Sequence, residues 1–171
     1  LNKFWEIPEI AGVKKINGVP NIINDELRRR LSHYENNRIS YKYNLLPKGL
    51  EELAKWITNF PGPRLVIMNT VQSAAVLADY FSVHFGRSSV EHLSTALILY
   101  DRDKALERVK KRLRNKIDTD WTLIATSCVE AGVDLSFRSG FRELGSLVSL
   151  LQASGRVNRE GAFNNSEMWT F

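Results

Sequence analysis

The run Gln152-Ala153-Ser154-Gly155-Arg156-Val157-Asn158-Arg159-Glu160-Gly161 places two arginines three residues apart, just behind a glycine. Side chains at i and i+3 emerge on one side of a helical turn. A guanidinium is planar, bidentate and permanently charged, so it suits phosphate oxygens better than an ammonium does. Gly155 leaves room for close approach by backbone or ligand. Such a pair can complete a phosphoryl-transfer site from the far side of a nucleotide. The plainer reading, a solvated helix end whose positive charge suits the dipole, stays open on these residues alone.

A second run, Thr126-Ser127-Cys128-Val129-Glu130-Ala131-Gly132-Val133-Asp134-Leu135, reads as a strand ending in two hydroxyls. A turn at Gly132 follows, and Asp134 opens a further extended stretch. Hydroxyls and exposed amides at such a point can hydrogen-bond a phosphate backbone. Asp134 can accept from a ribose hydroxyl. The alternative is a strand–turn–strand with small residues for tight packing.

The elements that must position these runs follow from hydrophobic spacing. Asn24 is placed to cap a helix over Asp25 to Tyr34, and the acidic pair Asp25-Glu26 suits its first turn rather than a magnesium box. Arg38 to Tyr43 alternates and predicts a strand. Leu50, Leu53, Ala54 and Ile57 make one apolar helix face, closed by Phe60-Pro61-Gly62-Pro63. Leu65-Val66-Ile67-Met68 predicts a strand buried on both faces, as in a parallel sheet. A packed helix over Val71 to Phe81 follows, then a strand at Val90 to Leu93 and a charged helix from Asp101 to Lys116. Trp121 to Ala125 and Val133 to Phe137 predict two more strands. Leu144, Leu147, Val148 and Leu151 mark an amphipathic helix, and Met168 to Phe171 a last strand.

Strands alternating with helices predict an α/β domain on a mainly parallel sheet. Ligands bind such sheets at the carboxyl ends of the strands. Polar residues cluster there: Asn69 and Thr70, Ser94 and Thr95, Thr126 and Ser127. The arginine pair and these hydroxyls are therefore expected to share one mouth of the sheet.

Composition sets the frame. The 171 residues are 43% hydrophobic and 25% charged, with a net charge of +5. That is enough to bury one core, and the basic balance fits a polyanionic partner without demanding one. The single cysteine, Cys128, excludes an internal disulfide and agrees with a reducing, cytoplasmic compartment. It suits packing better than nucleophilic work. No stretch has the length of a transmembrane helix, so no membrane partner is expected. His33, His84 and His92 are scattered and predict no metal site. The basic residues of the Asp101 to Lys116 helix read as a solvated face, since no aromatics interleave to stack bases. Trp5, Trp56, Trp121 and Trp169 read as packing residues.

Three blocks in order, Leu65 to Thr70, Thr126 to Leu135 and Gln152 to Gly161, resemble motifs IV, V and VI in the second motor domain of superfamily 2 helicases. The Val129 to Asp134 and Gln152 to Gly161 segments, together with His92-Leu93-Ser94-Thr95-Ala96-Leu97 and Asp101-Arg102, resemble the CRISPR-associated helicase–nuclease of type I systems. The resemblance covers roughly residues 39–171. Several ordered motifs are far more specific together than any one alone. Gln152, Ala153 and Asn158 depart from the H-R-x-G-R-x-G-R form of RNA helicases, which argues against that class. Cys128 stands where glutamine is frequent.

The resemblance implies a RecA-like three-layer sandwich over residues 38–171, with residues 1–37 an extension or linker from an upstream domain. It implies ATP hydrolysis coupled to movement on single-stranded DNA, with ATP and magnesium held mainly by that upstream domain. In this scheme Arg159 is the arginine finger, Arg156 its partner on phosphate, and Gln152 the residue that couples nucleotide to closure. Gly132 and Asp134 meet the nucleotide. Thr70, Ser94, Thr95, Thr126 and Ser127 contact the DNA backbone. Implied partners are an N-terminal RecA-like domain, an HD nuclease domain and a CRISPR surveillance complex. No G-x-x-x-x-G-K-[ST] loop occurs, so the chain, which opens at leucine, is expected to be half of a motor and inactive alone. Two other readings remain at this point: a non-catalytic module that binds nucleic acid or protein on a helicase-like fold, and a superfamily 2 DNA helicase outside CRISPR defence.

Overall fold

The computed structural model describes residues 24–129 and 134–171. The chain divides into two compact units, Leu1–His33 and Tyr34–Phe171. In the first, the described residues begin helix α1 (Asp25–Arg38), and Asn24 Oδ1 accepts the Leu27 N–H at 2.7 Å. The expected cap is present, and the helix runs on past Tyr34 to Arg38.

The second unit is built on six strands: β1 (Ser40–Tyr43), β2 (Arg64–Ile67), β3 (Val90–Leu93), β4 (Thr122–Ala125), β5 (Ser139–Arg142) and β6 (Glu167–Thr170). Their order is β1-β6-β5-β2-β4-β3, and every pairing is parallel. Helices α2 (Leu50–Thr58), α3 (Val71–His84), α4 (Leu99–Arg114) and α5 (Leu147–Ser154) make the crossovers.

Strand side chains alternate between faces, and the two cores follow that alternation. Leu65, Ile67, Leu123 and Ala125 pack with Ala105 and Val109 of α4 and Ala153 of α5. Val66, Ile124 and Phe141 pack with Leu53, Ala54 and Ile57 of α2 and Ala74, Leu77 and Phe81 of α3. Helix–sheet–helix is the expected three-layer sandwich. Each fully buried valine, leucine, isoleucine or phenylalanine contributes about 1.5–3 kcal/mol. The tryptophans serve packing. Trp56 and Trp169 meet edge to face at 5.4 Å among Phe60, Phe141 and Phe171, and Trp121 lies buried against Phe137. Trp5 lies outside the described residues.

Two sequence expectations need correction. The strand expected over Val133 to Phe137 is not one. Its described part is irregular up to an isolated parallel bridge between Phe137 and Val157, and the strand proper is β5. Its Ser139 and Arg142 hid it from an apolar reading, yet both are buried. Ser139 Oγ donates to Pro61 O at 2.8 Å, and Arg142 Nη1 donates to Asn69 Oδ1 at 2.6 Å. The second concerns α5. Leu144, Leu147, Val148 and Leu151 are 52–69% exposed, whereas Leu150, Ala153 and Ser154 face inward. Two small residues, Ala153 and Ser154, share the inner face with Leu150. At Gly140 of β5 a Cβ would collide with Val157 Cγ2 and Met168 Sδ.

Candidate nucleotide and nucleic-acid surfaces

Helix α5 starts with Ser146, whose Oγ accepts the Ser149 N–H at 3.1 Å, and ends at Ser154. In a parallel sheet a crossover helix starts at the carboxyl ends of the strands and returns the chain to their amino ends. The arginines therefore do not ride on the helix, and they do not start from the carboxyl-end mouth. Gly155 is an ordinary C-cap at φ −63°, and turns follow in which Arg156 N–H donates to Ala153 O at 2.9 Å. Phe137 N–H then donates to Arg156 O at 2.8 Å, and Asn158 N–H to Phe137 O at 2.7 Å. This bridge sits just ahead of β5, at the amino-terminal edge of the sheet.

Asn158 is the pivot between the arginines. It is left-handed at φ 45° and 1% exposed. Asparagine tolerates this conformation better than most side chains. Its Nδ2 donates to Arg38 O at 2.7 Å and Phe163 O at 2.8 Å, and its Oδ1 accepts the Phe163 N–H at 2.9 Å. So the residue that departs from the RNA-helicase glycine keeps the glycine-like backbone and adds a latch. Sequence spacing hides this role, and hides that of Arg38 entirely.

Past this pivot, Arg159 N–H donates to Ser136 Oγ at 3.1 Å, and Arg159 Nη1 to Asp134 Oδ1 at 2.6 Å. Arg156 Nε donates to Val129 O at 3.0 Å, reaching back along the sheet towards the loop after β4. Burial lowers the Arg156 pKa first, the positive charge of Arg159 lowers it further, and Asp134 raises it in part. Two cations thus converge with one exposed carboxylate between them, an arrangement that fits an incoming phosphate. The structure brings together Arg156, Arg159 and Asp134. Gln152 is exposed on the last turn of α5, and Gly132 lies outside the described residues.

The hydroxyls occupy the opposite, carboxyl-terminal edge, after the neighbouring strands β2, β4 and β3. The expectation of one shared mouth is therefore corrected: there are two surfaces, one beside Thr126 and Ser127 and one beside Asp134. Ser94 and Thr126 are buried, at 0% and 4% exposure, so neither hydroxyl is presented to a ligand. The Thr126 Oγ1 donates instead to Cys128 Sγ at 3.5 Å. Thr70 is exposed, but its Oγ1 accepts the Ser73 N–H at 3.0 Å as the cap of α3. Thr95 and Ser127 are exposed. Beside them, Arg142, Asn69 and Glu143 form a cluster that sequence reading missed: Glu143 Oε2 accepts the Asn69 N–H at 2.6 Å and fixes the turn before Thr70.

Among the described residues, no group of three or more His, Cys, Asp or Glu side chains is placed to hold a metal ion. No described helix is long and apolar enough to cross a membrane.

Known proteins agree with this architecture. Over residues 62–162, more than half of the chain, the sequence matches the family model for the CRISPR-associated nuclease/helicase Cas3, C-terminal. A Haloferax volcanii CRISPR-associated nuclease/helicase Cas3 is 54% identical over 39 residues, 23% of this chain and 4% of that protein. The T. fusca Cas3 structure superposes with a TM-score of 0.64 at 18% identity, over 78% of this chain and 18% of that one. The C-terminal domain of the DEAD-box protein Dbp5 superposes at 0.60 and 16% identity, over 80% and 78%. The DUF1998 helicase MrfA bound to DNA and AMPPNP gives 0.56 at 14% identity, over 77% and 19%. These structural likenesses show the fold, a RecA-like three-layer α/β domain, and the chain spans only a small part of its Cas3 relatives. The chain belongs to the Cas3 C-terminal helicase-domain family.

Proposed function

We propose that this chain is the C-terminal motor domain of an ATP-dependent DNA helicase or translocase, and that it completes a nucleotide site held chiefly by an upstream RecA-like domain. The observation that carries the proposal is the convergence of Arg156, Arg159 and Asp134 across two separate sequence runs. Bound ATP, with magnesium, supplies the phosphoanhydride whose cleavage drives movement along single-stranded DNA. T. fusca Cas3 has been solved with ATP and with AMPPNP, which supports the choice of nucleotide.

In this reading Arg159 leaves Asp134 and sets its fork against the terminal phosphate oxygens, where positive charge stabilises the charge of the transition state. Arg156 holds a neighbouring oxygen from its anchored position at Val129. Gln152 and Asp134 serve the nucleotide side, a role that the motif also gives to Gly132. Thr95 and Ser127, with Thr70 where its cap allows, face the DNA backbone at the other edge. Ser127 at one surface and Asp134 at the other lie a short way apart in sequence. An HD nuclease domain, a CRISPR surveillance complex and a cytoplasmic setting complete the proposal.

The test uses the longer protein that contains this chain. Arg159→Ala is expected to lower DNA-stimulated steady-state ATP hydrolysis by about 10³-fold or more, the range an arginine finger contributes. Hydrolysis at the unsubstituted rate would defeat the assignment.

A further inference from the structure

We infer that Arg38 and Asn158 form a latch that sets the position of the Arg156–Arg159 turn, so that the segment entering β1 governs how the arginines are presented. This rests on the nucleotide-facing reading of the two arginines and extends it to residues that touch no ligand. Arg38 is 8% exposed, although it stands just ahead of the edge strand. Its Nη1 donates to Ser154 O at 3.4 Å and also to Val157 O, the carbonyls on either side of Gly155 and Arg156. Its Nε and Nη2 are held by Glu35, the latter at 2.6 Å from Oε2. In return Asn158 Nδ2 reads the Arg38 carbonyl at 2.7 Å. The Arg38 guanidinium thus holds Ser154 and Val157, and the Asn158 amide holds the Arg38 carbonyl, so the two segments are tied from both sides.

The charge of Arg38 serves this geometry. A buried guanidinium is matched by two carbonyls and one carboxylate, and losing it removes the side-chain donor on Val157 O, while Ser154 O keeps the Val157 N–H at 3.0 Å. Other ties on the arginine turn include the Phe137–Val157 bridge, Val129 O on the Arg156 Nε, and Ser136 and Asp134 on Arg159, and the latch adds the contacts that reach it from the segment ahead of β1. Without the latch the turn keeps its path and loses its fixed register. A misplacement of 1 Å near a reacting centre costs about 10²-fold in rate. Arg38 and Asn158 are positioning residues.

The experiment compares Asn158→Gly and Arg38→Lys with Arg64→Lys. Asn158→Gly keeps the left-handed turn and removes the amide, and Arg38→Lys keeps the charge and removes the fork. Arg64 is also buried and bonded to carbonyls, those of Phe60 and Thr58, but it serves the opposite face of the sheet. Amide hydrogen exchange on the chain by itself is expected to show faster exchange over residues 156–163 in both latch variants and not in Arg64→Lys. In the longer protein, kcat for ATP is expected to fall about 10-fold to 10²-fold with KM nearly unchanged. Unaltered exchange over 156–163, or a kcat loss no greater than in Arg64→Lys, would overturn the latch. If Arg159→Ala abolishes hydrolysis while both latch variants turn over normally, the latch fails and the nucleotide reading stands. If Arg159→Ala turns over normally, the nucleotide reading fails, and faster exchange in the latch variants then reports structural coupling alone, which overturns the positioning role.

Discussion

The guanidinium of Arg159 rests on Asp134 with the two side chains 46% and 83% exposed. An ion pair so open to water contributes only about 0–1 kcal/mol, so it parks the side chain without trapping it. Asp134→Asn is accordingly expected to shift chain stability by less than about 1 kcal/mol in denaturant titration, and a much larger loss would make the pair structural. His92 behaves oppositely. Burial lowers its pKa below the ordinary 6.5, and its buried Nε2 has no hydrogen-bond partner. The folded chain therefore resists a proton that the unfolded chain accepts. The stability this provides is fully present above pH 6.5, and it is lost as the pH falls from there through the depressed folded value. The melting temperature should drop across that window, and His92→Gln should flatten the drop; an unchanged slope in the variant would refute it.

The elements show why parts of the fold were legible and parts were not. Leu65 to Met68 and Trp121 to Ala125 are continuous apolar runs, and they fold as the central strands β2 and β4, buried along their whole length. Strand β5 was illegible because a serine, a glycine and an arginine occupy it, each for a tertiary reason. The apolar spacing of α5 identified a helix but the wrong face, because hydrophobic period does not say which side meets the sheet. The arginine pair stood out in the sequence by residue type and spacing. Its location did not, since that depends on the direction in which α5 returns the chain. Gly140 holds the two levels together by letting Val157 descend onto the sheet. Gly140→Ala should cost about 1–3 kcal/mol by overpacking, with faster amide exchange around Val157. A melting temperature equal to that of the unsubstituted chain would show that the close approach is slack.

At the scale of the molecule, the sheet carries two surfaces at its two edges. The sequence contains the two arginines proposed to meet a triphosphate and no G-x-x-x-x-G-K-[ST] loop to hold one. By itself it is expected to show no DNA-stimulated ATP hydrolysis in a phosphate-release assay, and robust turnover by the purified chain would contradict that. The most direct measurement is single-turnover hydrolysis in the longer protein, with ATP prebound and single-stranded DNA saturating, for the unsubstituted protein and Arg159→Ala. The expected result is retained nucleotide binding with a chemical step slowed by about 10³-fold or more; equal single-turnover rates would contradict the placement of this guanidinium at the triphosphate.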